Sequence, residues 1–306
     1  MRNKKSNLDL SGQDWSGTDF RGQDLRGVNW KDSVLRGCNF EGSKLDGSDL
    51  QGADLIGANF KSASMVGVKM KFGNWSNCNF EEAILDGSEM GGVTCSDVNF
   101  TKASLDKVIF GGSRLEDCNF HLCSMREAKI EYLKLKDSKM SYVDFFGLRL
   151  SESSFVEVDL TGSFLEETGG RNNKFWNCIF VNATLEVKFW KASIRSSYFY
   201  DSDIKKLQIF GGGSFGNSIV GCDFRNADID LIQIENTNFQ DSNFKGVDLR
   251  SSVFKKSTFR DVDFTGAKRT SSTFMSGWSR GGTTSDSDLV DNKVLTQDQL
   301  DSMIKV

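Results

Sequence analysis

Every fifth residue of this chain is apolar. Counting in fives from Leu10 through Trp15, Phe20 and Leu25 to Trp190, 36 of 37 positions are apolar, with Cys95 counted as apolar and Gly170 the exception. After Trp190 the phase slips by one residue. It resumes at Ile194 and runs to Phe274, where only Ser214 and Arg269 fail among 17 positions. The chain as a whole is 38% hydrophobic, so this order is not chance. A period of five fits neither an α-helix at about 3.6 residues per turn nor a strand at about 2. It does fit a side with two inward residues followed by a tight corner. Two positions before each centre the residue is small, as at Ser33, Cys38, Ser43, Ala53 and Ala58, which leaves room for the large centre. Two positions after it the first third is rich in Gly, as at Gly17, Gly22 and Gly27, where a corner can use positive φ. Four such sides close a square coil of about 20 residues.

The triplet Cys-Asn-Phe marks that coil. It occurs at 38–40, 78–80 and 118–120, with related triplets at 58–60 and 98–100. The spacing predicts that Phe20, Phe40, Phe60, Phe80, Phe100 and Phe120 stack as structural core. It also predicts that Asn39, Asn59, Asn79, Asn99 and Asn119 form a column of amides that bond along the coil axis. The pattern in Ala53-Asp54-Leu55-Ile56-Gly57 and Ala58-Asn59-Phe60 resembles the pentapeptide-repeat family, over about nine-tenths of the chain. The resemblance implies an all-β fold, a right-handed quadrilateral β-helix. At ~4.8 Å per coil, about 13 coils would make a rod of ~60–65 Å.

Three segments are expected: a short leader at 1–7, the solenoid at 8–275, and a polar linker with a capping helix at 276–306. Thr296 and Gln299 have capping-box spacing and Leu295 and Leu300 staple spacing, predicting a short α-helix at about 297–304. It reads as a cap over the last coil, or as a hook for a partner. The N-terminal coil, with Trp15 and Trp30, has no such cap, which suggests a homodimer through that end. Irregularities fall at Gly169-Gly170, after Trp190 and at Gly211-Gly212-Gly213-Ser214; no long loop is expected inside the repeats.

The chemistry points away from an enzyme. His121 is the single histidine, with Leu122 and Cys123 beside it, and a catalytic relay needs an orienting acid. Six of the seven cysteines (Cys38, Cys78, Cys118, Cys123, Cys178 and Cys222) take the small inward position, and Cys95 is a centre. They read as buried apolar groups, two coils apart where they repeat, too far for disulfides. Reduced thiols fit a cytoplasmic protein. The acids Asp14, Asp19, Asp24, Asp49 and Asp54 fall at one repeat position and read as structural. Gly211-Gly212-Gly213 lacks the GK[ST] sequence of a phosphate loop. No metal or cofactor site is expected. No apolar run spans a membrane, and a net charge of −4 without a basic arm gives no reason to expect direct nucleic-acid or membrane binding.

The aromatics carry the functional expectation. Nineteen of 25 Phe are repeat centres. Phe146, Phe164, Phe189, Phe210 and Phe215, with Tyr142, Trp176, Tyr198 and Tyr200, are out of phase and lie between residues 142 and 215, while Phe72 is isolated. They are the expected partner-binding surface of a non-enzymatic protein-interaction scaffold. The family resemblance implies an alternative, a DNA-mimicking modulator of type II topoisomerase (gyrase protection or inhibition). Nearly balanced charge counts against it. A secreted bacterial effector ranks lower, because only about seven residues precede the repeats.

Overall fold

In a computed structural model, residues 8–210, 217–270, 273–275 and 295–305 are described. They fall into two compact units, Met1–Arg149 and Leu150–Val306. The expected leader at 1–7 and the linker stretch Gly277 to Asp288 lie outside the described residues.

The five-residue side is the building block of both units. In the first unit, partners one coil on are 20 residues apart on all four sides. Asp9, Asn29, Asp49 and Lys69 follow one another on one side; Asp14, Val34 and Asp54 on the next; Asp19, Asn39 and Asn59 on the third; Asp24, Lys44 and Ser64 on the fourth. All pairs are parallel. Each centre donates its N–H to the next coil, and the residue before it donates back, as in Phe20 N to Asn39 O (2.7 Å) and Asn39 N to Thr18 O (3.0 Å). From Glu89–Gly91 onward, short strands form on some sides, while isolated bridges continue on others, as between Asn99 and Asn119. The sheet is parallel because the chain always returns after a full coil in the same sense.

Corners are left-handed whether or not glycine stands there. Gly17 has φ +70°, but Lys102 and Asp117 hold φ +59° and +53° in the same role. A side chain in this region costs about 1–2 kcal/mol. A bond from the corner N–H to the next coil, such as Lys102 N to His121 O at 2.9 Å, helps hold it there.

The core is the stack of centres. Phe20 through Phe120 lie parallel with centroids 4.8–5.0 Å apart and planes within 11°. The small inward residue also supplies a donor. Cys38 Sγ reaches Trp15 O (3.0 Å), Ser48 Oγ reaches Leu25 O (2.9 Å) and Cys78 Sγ reaches Leu55 O (2.9 Å). Ser and Cys are therefore small residues that also satisfy a buried carbonyl. All seven cysteines are free and buried. Burial pushes the thiols up, to about 12 for Cys123 and about 11 for Cys118.

The amide column forms, with a defined end. Asn59 donates to Asn39, Asn79 to Asn59 and Asn99 to Asn79 at 3.0–3.1 Å. Among the described residues no such bond joins Asn119 to Asn99. The Thr101 hydroxyl takes Asn99 Oδ1 instead, at 2.6 Å.

The second unit corrects the expected phase. The register shifts between Leu185 and Val187, one side earlier than the expected slip after Trp190. Val187 and Phe189 become the inward pair. Phe189 is 4% exposed against Phe175, and Trp190, expected as a core centre, is 45% exposed. Phe189 is thus core and not surface. Further on, Lys188 pairs with Gln208, but Gln208 pairs with Gln233 and Ser193 with Ser218. The spacing rises from 20 to 25, so one side's worth of sequence is added between Phe210 and Asn217, at the irregularity expected at Gly211-Gly212-Gly213-Ser214. Residues 211–216, including the Gly run and Phe215, lie outside the described residues. Gly170 marks a close backbone approach: a Cβ there would fall 1.4 Å from Leu150 O.

The C-terminal segment covers the last described coil. Helix α1 (Gln297–Asp301) has the expected capping box, is shorter than expected, and is followed by Ile304–Lys305, which pairs with Lys268–Arg269. Leu295, Leu300 and Met303 are buried, and Gln299 Nε2 donates to Val262 O at 3.3 Å. At the other end, Asp9, Asp14, Asp19 and Asp24 begin the four sides of the first coil. Side-chain bonds from Ser11, Ser16, Arg21 and Arg26, with the N–H two residues on, hold the four carboxyls below the usual range.

Candidate interaction surfaces

Outward side chains come from the residue before a centre, the residue after it, and the corner. In the first unit, Tyr142 stands at a corner and is half exposed, its ring 5.8 Å from that of His121. His121 is half-buried, with Nδ1 2.8 Å from Ser141 Oγ; its close partners are a hydroxyl and a ring, not a carboxylate. Phe146 lies 4.7 Å under the Arg126 guanidinium, which also pairs with Asp144 at 2.6 Å. Phe72 is 71% exposed and lies over Gly92, whose place would bring a Cβ within 2.5 Å of the ring. Tyr132, missed in the sequence, is also an exposed corner residue. Its signal was its place two residues after the centre Ile130.

Three groups stand outward in the second unit, besides Phe164, which is exposed and pairs in register with Thr184. Ile179 and Tyr198 are partners on successive coils, and Tyr200 follows two residues later on the same outward face. All three are exposed, Tyr198 by 53%. Asp223 borders them as the next partner of Tyr198. The Arg225 side chain forks onto Asp223 at 2.6–3.0 Å and holds its carboxyl below the usual range. A second group pairs Trp190 with Phe210, ring centroids 6.1 Å apart, under the Lys188 ammonium. A third holds the half-buried Trp176 between Lys174 and Arg195. The structure thus keeps Tyr142, Phe146, Phe164, Trp176, Tyr198, Tyr200 and Phe210 on the outside, removes Phe189, and adds Trp190. Extending the later phase backward from Ile194 lands on Phe189, which would have found Trp190.

These features define a parallel β-solenoid whose sides are five residues long. The sequence model for pentapeptide repeats matches residues 6–42, 33–71, 95–131 and 232–268, in 8 copies. That number is lower than the about 13 coils expected. A pentapeptide repeat protein of the Arabidopsis thaliana thylakoid lumen is 38% identical, over 32% of this chain and 68% of that one, with a TM-score of 0.32. This chain belongs to the pentapeptide repeat family. HetL from Nostoc sp. strain PCC 7120, a pentapeptide repeat protein involved in heterocyst differentiation regulation, is 16% identical (86% of this chain, 91% of that one, TM-score 0.21). QnrB1, a plasmid-mediated fluoroquinolone resistance protein, is 13% identical (76% and 92%, TM-score 0.25). No curated protein matches the sequence. No helix among the described residues is long and apolar enough to cross a membrane.

Proposed function

We propose that the protein is a non-enzymatic interaction scaffold that docks a protein partner on the second unit. The observation that carries this is the group Ile179, Tyr198 and Tyr200, exposed side by side on a sheet whose backbone is already paired. A solenoid fills its core from inward positions, so its own folding does not require outward tyrosines. Adjacent exposed rings with a polar border have the composition of an interface centre. Seven free, buried thiols suit a reducing cytoplasm, and the scaffold works without a cofactor. The test is affinity capture with the full chain against a Tyr198→Ala/Tyr200→Ala variant of unchanged circular dichroism. The reading expects a protein retained by the native chain and lost from the variant. Identical captured sets would sink it.

One observation favours a second reading, modulation of a type II topoisomerase. Asp97, Asp117 and Asp137 occupy one corner on successive coils of the first unit. Such a stripe resembles regularly spaced phosphates, although Lys136 spans Glu116 and Asp137 and neutralises part of it. A gyrase supercoiling titration, with and without a quinolone, separates the readings. Inhibition or drug protection that is lost in an Asp97→Asn/Asp117→Asn variant supports the second; no effect removes it.

A further inference from the structure

From the corner of the second unit between the Trp190 side and the Trp176 side, we infer a docking site for an acidic segment of a protein partner. This deepens the scaffold reading and rests on it, but uses a different surface from the tyrosine group. Two cation–aromatic sets flank the corner at Asn172 and Lys191. On one side Lys188 lies 5.1 Å over Trp190 and 5.7 Å over Phe210, with Arg171 in register with Trp190. On the other, Lys174 and Arg195 lie 5.5 and 5.3 Å from Trp176, and Trp176 and Arg195 are themselves in register.

The distinguishing feature is that Lys174, Lys188 and Arg195 lie over rings without an ion-pair partner, whereas Arg126, over Phe146, also pairs with Asp144. Many of the chain's bases are paired with carboxylates: Arg36 with Asp54, Arg126 with Asp144, Arg225 with Asp223, Arg250 with Asp248. Among the described residues, Arg171, Lys174, Lys188, Lys191 and Arg195 make no ion pair. The charges of Lys174, Lys188 and Arg195 are held over rings instead. A ring face attracts a cation while leaving its other donors free. It also fixes a long side chain before a ligand arrives, which lowers the ordering cost of binding. Five positive charges without an ion pair, against the one carboxylate of Glu152 that Asn172 binds at the same corner, call for an anionic partner.

Two features favour an acidic peptide over a nucleic acid strand. Single-strand binding needs free ring faces on which bases stack, and here Lys188, Lys174 and Arg195 cover them. The patch is also short. Arg171, Trp190 and Phe210 sit on three successive coils, about 10 Å along the axis at ~4.8 Å per coil. Beyond it the charges are already paired: Glu235, on the coil after Phe210, with Lys255, and Glu186, on the side before Trp190, with Lys206. A long polyanion would gain little from these neutralised pairs, whereas an extended peptide at ~3.4 Å per residue covers the patch with few residues.

The experiment uses the full chain and two fluorescein-labelled probes, an oligomer of glutamate and a thymidine oligonucleotide of equal charge, read by anisotropy. The glutamate oligomer binds, binds less tightly as salt rises, and binds at least tenfold more weakly to a Lys188→Glu/Arg195→Glu variant of unchanged circular dichroism. Lys188→Arg retains binding. Tighter binding of the oligonucleotide, lost in the same variant, overturns the proposal in favour of nucleic acid. Binding of neither probe, or no change in the charge-reversed variant, overturns it outright. The Tyr198→Ala/Tyr200→Ala variant keeps glutamate binding. Loss of partner capture in that variant, with no glutamate binding in the native chain, would leave the scaffold reading standing and remove this site alone.

Discussion

Replacing Asn59 by Ala tests whether the amide column stabilises the solenoid or only decorates it. The Asn59 side chain makes three hydrogen bonds. It donates to Asn39 Oδ1, and its own oxygen accepts from Asn79 Nδ2 and from the Lys61 N–H, all at 3.1 Å. Asn119 has the same sequence position but makes only the last kind, to the His121 N–H at 3.0 Å. Each buried or half-buried bond contributes about 1 kcal/mol net. Asn59→Ala should therefore cost about 3 kcal/mol and Asn119→Ala about 1 kcal/mol. The two amide–amide bonds, worth about 2 kcal/mol, are the difference. The assay is urea unfolding followed by circular dichroism. With a slope of about 2 kcal/mol per molar, the midpoint for Asn59→Ala should lie about 1 M below that for Asn119→Ala. Equal midpoints would show that water replaces the amide bonds without loss, and the column would carry no stability. A larger fall for Asn119→Ala would reverse the reasoning altogether.

Three further outcomes are expected. The buried thiols should react with a thiol reagent only after urea unfolding; and because burial raises Cys123 from about 9.0 to about 12, the unfolded chain ionises first, so stability should fall as pH rises above about 9, an effect that Cys123→Ala should reduce. Gly170→Ala, which puts a Cβ against the Leu150 carbonyl, should lower stability by about 3 kcal/mol, while Gly169→Ala, whose nearest contact is 3.4 Å away, should cost about 1 kcal/mol or less; equal urea midpoints would refute the close approach. Thr296→Ala removes the bond to the Gln299 N–H and should cost about 1 kcal/mol, seen as faster hydrogen exchange in residues 297–301, with unchanged exchange refuting the cap.

What the sequence showed and what it hid follow from how each feature is encoded. The core was legible because each centre repeats one local choice, large and apolar, and repetition multiplies a weak signal. The capping box was legible because its partners are three residues apart. The corners were only half legible. Gly17 announces a left-handed residue, but Lys102 and Asp117 hold the same backbone through a bond to the next coil, which no local pattern records. Trp190 was misplaced for a related reason. A phase count sees a deletion only where the periodic residue fails, and Trp190 is apolar, so the failure surfaced one side late, at Ile194. The surface was least legible. Lys188 lies over Trp190, two residues on, and over Phe210 on the next coil, so what it faces depends both on the local phase and on the adjoining coil. In this fold a surface site is a column of residues 20 apart, interrupted wherever a coil gains or loses residues. The one-residue deletion at Leu185–Val187 and the longer coil after Phe210 bracket Trp190 and Phe210. Without that deletion, residue 190 would remain in phase and point inward, and Lys188 would have no exposed Trp190 ring to cover. The irregularity that broke the count is therefore what turns Trp190 outward.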